Sequence, residues 1–198
     1  MTNGKTNNQE SIKRTRVKSY FLEATKEIIL EQGPYNVTVR KIAEKSGYSY
    51  GSIYNYYKDL DVLMFEVKNL MINDMIEDLS KLPSNEIYTI GDLKYISHMF
   101  IDYFMNNKHL YEFFYDYTIK KDGKTAMEDI KFDNSVNTML KGLVKNNIIQ
   151  NNEIEAVAKT IGYSLYGMLT LYFSSNDLTK ETIHKDLDLI IENTMKDG

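Results

Sequence analysis

Two prolines occur in the whole chain, Pro34 and Pro83, and each falls where a helical run of apolar residues stops. Proline inside a helix removes a hydrogen bond and clashes with the preceding turn, so its sparing use leaves long helices open. The apolar spacing agrees. Val17, Tyr20, Phe21, Ala24 and Ile28 recur at intervals of three and four, and no stretch alternates with period two as a half-buried strand would. The expected fold class is all-α, with a first helix ending at Gly33-Pro34. Further helices are expected over 38–45, 49–57, 59–82, 92–106, 108–120, 125–146, 152–173 and 179–196. Thr179 can cap the last of them and Glu181 suits its positive end, although Thr182 in place of Glu or Gln leaves no full capping box.

Hydrophobic residues make up 42% of the sequence, enough for a continuous core, which excludes wholesale disorder. Without cysteine there is no disulfide scaffold, thiolate nucleophile or Cys metal site. The polar start MTNGKTNNQE carries no secretory pattern, and no apolar run reaches the roughly 20 residues of a membrane span. A cytoplasmic location is the resulting expectation. The net charge of −4 argues against a nucleic-acid partner until its distribution is considered. Residues 1–60 hold ten Lys or Arg against six Asp or Glu, and residues 61–198 hold fourteen against twenty-two. A basic head on an acidic body suits contact with phosphates through one end. The expected division is a head over 1–60, with 1–10 a disordered tail, and a helical regulatory and dimerisation body over 61–198.

The head contains TVRKIAEKSGYSYGSIYNYY at 38–57, and each feature has a mechanical use in a helix-turn-helix. Ala43 is small where two helices must cross closely. Gly47, four residues on, can take the left-handed conformation that turns the chain. Ser49 can cap the second helix. Val39, Ile42 and Ile53 supply an apolar side. The rest of 49–55 is Ser, Tyr, Gly and Asn, and no carboxylate occurs between Lys45 and Lys58. That surface can approach a major groove without repelling phosphate, and the hydroxyls and ammonium of Tyr54, Tyr56 and Lys58 can bond the DNA backbone. Tyr57 is expected to pack the small core instead.

From Ala24 through Val67 the chain resembles the TetR family of bacterial transcriptional regulators, most specifically in its Gly-x-x-Tyr-x-x-Tyr-Lys run, Gly51 to Lys58. The resemblance implies that Thr38 and Arg40 lie near phosphate or a base edge. It also implies that Tyr50, Gly51 and Asn55 face the groove, with Ser49, Tyr54, Tyr56 and Lys58 on the backbone. Many relatives carry a Lys two positions after the one matching Lys58; here that position is Leu60. That contact is then either absent or supplied by Lys13, Arg14, Arg16 or Lys18 of the basic arm.

Aromatic and methionine residues crowd 95–117 and can line an adaptable pocket. The candidate pocket residues are His98, Met99, Asp102, Tyr103, Tyr111, Phe114, Tyr115, Tyr163 and Tyr166, for a small apolar or aromatic ligand. The helix over 152–173 is the most apolar and includes the small residues Ala158, Gly162 and Gly167. The family likeness implies a homodimer built on the last two helices. Its candidate interface is Ile161, Leu165, Met168, Leu169, Tyr172, Leu187 and Ile191, and its operator a near-palindrome in double-stranded DNA. His98, His109 and His184 are scattered, and no phosphate loop, metal cluster or nucleophile motif occurs, so no enzyme, cofactor, catalytic residue or metal is expected. Three readings result: a repressor released by ligand, an activator, or a DNA-binding protein that recruits partners without a ligand.

Overall fold

The computed structural model describes residues 3–80, 88–119, 132–174 and 178–195. Among these the regular structure is helical throughout. Nine α-helices occur among the described residues, in chain order: α1 Asn3–Gln32, α2 Val39–Ser46, α3 Tyr50–Tyr54, α4 Leu60–Ser80 and α5 Ile90–Met105 come first. They are followed by α6 Lys108–Tyr111, α7 Phe132–Lys145, α8 Ile154–Ser174 and α9 Lys180–Thr194. Helix α1 takes in the 3–10 stretch that its polar composition suggested would be a disordered tail. Part of the helix expected over 125–146 lies outside the described residues.

The chain folds as two compact units. The first comprises Met1–Met75 with His109–Glu128, and the second Ile76–Lys108 with Asp129–Gly198. In the first, Phe21, Ile28, Ile29, Ile42, Ile53 and Tyr57 are almost fully removed from solvent. Burial of each such side chain contributes about 1.5–3 kcal/mol. Phe21 is the hub: its ring meets those of Tyr48, Tyr56 and Tyr57 edge-on, at centroid distances of 5.1, 5.6 and 6.4 Å. The hydroxyl of Thr25 lies in this core and donates to the Phe21 carbonyl at 2.7 Å.

Helix α1 ends at Gly33, whose φ of 88° and ψ of 158° suit only glycine. A Cβ there would also stand 3.0 Å from His109 Nδ1. The helix expected over 108–120 is shorter and changes character. After α6 the backbone widens into a π-turn over Glu112–Asp116 and is extended at Tyr117. Lys68 explains what holds this turn in place. Its ammonium is buried between the rings of Phe113 and Phe114, 5.5 and 5.6 Å from their centroids, and donates to the Phe114 carbonyl at 3.4 Å.

In the second unit α5 packs on α8 and α9, and α8 also packs on α7 and α9. Helix α5 begins with a reciprocal capping box between Thr89 and Asp92, and Thr179 caps α9 by accepting the Thr182 N–H at 3.2 Å. Polar groups stitch α5 to α9. Lys94 meets Glu192 at 2.5 Å, His184 Nε2 meets Asp102 at 2.7 Å, and His98 Nε2 lies 3.0 Å from Asp188. The two imidazoles stack at 4.2 Å.

Candidate nucleic-acid interface

The turn between α2 and α3 is built as its residues require. Thr38 caps α2 by accepting the Lys41 N–H at 3.2 Å. Gly47 ends α2 in the left-handed region at φ 74°, and the Tyr48 N–H donates to the Ala43 carbonyl at 3.1 Å, closing the helix end. Ser49 then caps α3, accepting the Ser52 N–H at 3.2 Å. Ile53 is the inward side chain of this short helix, 2% exposed. Its register turns Tyr50 and Tyr54 outward, 55% and 47% exposed.

Of the residues expected to contact DNA, Thr38, Arg40, Ser49, Tyr50, Gly51, Tyr54, Asn55 and Lys58 are exposed, and Tyr56 is half-buried. Tyr50 and Tyr54 meet edge-on at 5.3 Å, with their hydroxyls 3.0 Å apart. That hydrogen bond is the first cause of the raised pKa of Tyr54. A Cβ at Gly51 would meet nothing within 4 Å, so no neighbour in the fold requires glycine there. Tyr57 takes the opposite role. It is buried, donates to Glu66 at 3.2 Å, and its phenol pKa is pushed up by burial and then by the Glu66 charge.

The spatial charge pattern differs from the linear one. Lys45 opens the acid-free run in sequence, yet α1 brings Glu27 and Glu31 within 3.0 Å of it, and the hydrogen bond to Glu31 leads in raising its pKa. Lys18 is paired with Glu66 at 2.7 Å and Lys26 with Asp74. Arg14 stands apart from these internal pairs. Its guanidinium lies over the Tyr56 ring, 4.9 Å from the centroid, and donates to the Asn55 carbonyl at 3.2 Å, at the exit of α3. The four basic arm residues are equivalent in the sequence; a contact across 41 positions distinguishes Arg14.

The candidate pocket residues fall in both units. His98 and Asp102 belong to the α5–α9 stitching, where Asp102 also meets Lys180 at 2.8 Å. Met99 and Tyr103 are half-buried on α5, and Tyr103 packs edge-on against Phe104 at 5.4 Å. Tyr111, Phe114 and Tyr115 lie in the first unit, with Tyr111 and Tyr115 in ring contact at 5.2 Å. Tyr163 and Tyr166 face outward on α8, 64% and 38% exposed. A cavity of about 70 Å³ does exist in the second unit, lined by other residues. Helix α5 gives it Leu93, Ile96, Ser97 and Phe100, and α7 gives Met139 and Leu140. Helix α8 adds Ala158, Ile161, Gly162 and Leu165.

Two of those, Ile161 and Leu165, were expected at a dimer interface. Together with Leu169, Leu187 and Ile191 they are buried within the single chain, while Met168 and Tyr172 are half-buried. The large apolar residues left exposed on α8 and α9 are Tyr163, Tyr166, Leu171 and Leu189. Among the described residues no group of three or more His, Asp or Glu could hold a metal ion, and no helix is long and apolar enough to cross a membrane.

Residues 21–67 match the family model for bacterial regulatory proteins, tetR family. None of the curated proteins matches the sequence. The fold is similar to that of a TetR-family transcriptional regulator from Rhodococcus sp., with 16% identity and a TM-score of 0.70 over 91% of this chain and 100% of that one. RolR in complex with resorcinol is similar at 14% identity and a TM-score of 0.67, over 94% and 90% of the two chains. The TetR-family repressor FadR of Thermus thermophilus, in complex with lauroyl-CoA, is similar at 16% identity and 0.63, over 90% and 91%.

Proposed function

Through its N-terminal domain the chain belongs to the tetR family of bacterial regulatory proteins, and from that membership we propose that it represses transcription as a homodimer released from a near-palindromic operator by a small ligand. One observation carries the DNA-binding half: the capped helix α3 holds Ile53 inward and presents Tyr50, Tyr54 and Asn55 outward, with Arg40 and Lys58 exposed beside it. In this reading Tyr50, Gly51 and Asn55 read the major groove. Thr38, Arg40, Ser49, Tyr54, Tyr56 and Lys58 hold the phosphates. Arg14, placed at the exit of α3, supplies the contact that Leu60 cannot make.

The dimer forms through the outward faces of α8 and α9, where Tyr163, Tyr166, Leu171 and Leu189 remain exposed in one chain. Two-fold symmetry sets the recognition helices about 34–36 Å apart, one duplex turn. Ligand release is supported by the cavity in the second unit and by the resorcinol and lauroyl-CoA complexes of the similar structures. A ligand shifts the population off DNA only by its differential affinity for the two forms. Selection of genomic fragments bound by the purified protein tests the proposal. Recovery of one near-palindromic motif is the expected result, and recovery of no enriched sequence would overturn it.

A further inference from the structure

From Ser46 to Tyr57 the chain carries no charged side chain, so α3 meets the major groove without the groups that fork onto guanine. The cations around it are engaged elsewhere. Lys45 is held by Glu27 and Glu31, and Lys41 by Gln32 at 2.7 Å. Arg14 lies on the Tyr56 ring and donates to the Asn55 carbonyl. Arg40 is exposed, but on α2 rather than α3.

What α3 offers instead is an aromatic pair. The rings of Tyr50 and Tyr54 meet edge-on with their hydroxyls 3.0 Å apart, so their geometry is set before DNA arrives and little ordering is left for binding. Tyr50 is the more exposed of the two, and Gly51 beside it adds no side chain to shield it. Seating a ring on the hydrogen-bonding edges of bases strands those edges, so the contact is favourable only against an apolar group. In the major groove that group is the thymine C5-methyl.

The hydroxyls point the same way. With Tyr54 on a phosphate, its single proton goes there, and Tyr50 must donate its own proton to the Tyr54 oxygen. The Tyr50 oxygen then keeps only lone pairs. Guanine, whose major-groove edge is two acceptors, repels it, whereas the adenine amino group donates to it. Cytosine also has an amino group but no methyl. The exposed amide of Asn55 has the donor and acceptor that fit adenine N7 and N6.

We infer that the base pairs facing α3 in each operator half-site are A·T pairs, with a thymine methyl seated on the Tyr50 ring, Tyr54 holding that ring in place, and Asn55 on adenine; this rests on the DNA-binding reading above. Selection from random duplexes by the full-length protein supplies the probe. Thymines of the selected site are then replaced one at a time by deoxyuridine, which removes the methyl and keeps the base pairing. In fluorescence anisotropy, one such replacement in a half-site is expected to weaken wild-type binding about fourfold, the worth of one buried methyl group. Tyr50→Phe keeps the ring and should keep that sensitivity. Tyr50→Ala should lose it and bind the thymine and uracil duplexes alike. Because the side chain is exposed, its removal opens no cavity, and circular dichroism checks that the fold persists. Tyr50→Ser is a second ring-free variant, with the same expected loss of sensitivity.

A selected site in which no thymine responds to loss of its methyl would overturn the inference and leave DNA binding intact. So would a half-site built only of G·C pairs, wild-type sensitivity in both ring-free variants, or its loss in Tyr50→Phe. Selection of no motif at all would overturn the DNA-binding reading, and the assignment of A·T pairs with it.

Discussion

Replacing the glycine between α2 and α3 isolates the energetic cost of the turn that presents the recognition helix. Gly47 has φ 74° and ψ 19°, and a Cβ built there meets nothing within 4 Å. Gly47→Ala therefore adds no clash, only a left-handed conformation for an L-residue, which costs about 1–2 kcal/mol. Restricting the unfolded chain returns about 0.4–1 kcal/mol, so the net loss is about 1 kcal/mol. Asn tolerates this region better, and Gly47→Asn should lose less. Two other glycines calibrate the scale. At Gly33 the backbone is glycine-only and a Cβ would press on His109 Nδ1 at 3.0 Å, so Gly33→Ala should cost more, about 2–3 kcal/mol. Gly162 lies within α8 in open space, and Gly162→Ala should stabilise by up to about 1 kcal/mol. Urea unfolding followed by circular dichroism measures all four. A Gly47→Ala protein as stable as wild type, or a Gly33→Ala loss smaller than that of Gly47→Ala, would overturn this ranking.

Three further outcomes follow from named contacts. The raised pKa of Tyr57 means that the folded state holds its proton more tightly than the unfolded chain, so its stabilisation is intact below the ordinary 10.0 and declines as pH rises above it. In urea titrations across pH, Tyr57→Phe should flatten that alkaline decline while losing about 1 kcal/mol near neutrality with the Glu66 bond. Arg14→Ala should leave stability almost unchanged, yet lower the slope of log affinity against log salt by about one in fluorescence anisotropy, the mark of one lost phosphate contact. On the dimer, Tyr163→Glu with Leu171→Glu should give a monomer in sedimentation experiments. Ile161→Ala should instead cost about 2–5 kcal/mol of stability and preserve the dimer, because that side chain is buried within one chain.

The helical class and the α2–α3 turn were legible because local chemistry determines them. Thr38, Gly47, Ser49 and Thr179 act through backbone groups three to five residues away, and such partners are visible in a linear pattern. What depends on distant packing was not. Lys45 opens an acid-free run in the sequence, and Glu27 and Glu31 reach it only through the packing of α1. The aromatic run at 108–117 follows helical spacing, but the widening over Glu112–Asp116 depends on Lys68, more than 40 positions away, inserting between Phe113 and Phe114. Apolar periodicity on α8 likewise marks a buried stripe without saying what buries it. Ile161 and Leu165 line an internal cavity, and the outward apolar residues are Tyr163 and Leu171. His98 and Asp102 share a helix face in sequence, and only α9 shows that His184 and Asp188 occupy them.

The most direct test of the DNA-binding claim is the affinity of the Tyr54→Ala, Lys58→Ala double variant for the selected operator and for unrelated duplex at several salt concentrations. Weaker binding to both DNAs is expected, with a salt slope reduced by about one for the lost Lys58 phosphate contact, whereas Tyr50→Ala or Asn55→Ala should erode the preference for the operator. Full operator affinity in the double variant, with an unchanged salt slope, would contradict the DNA-binding claim.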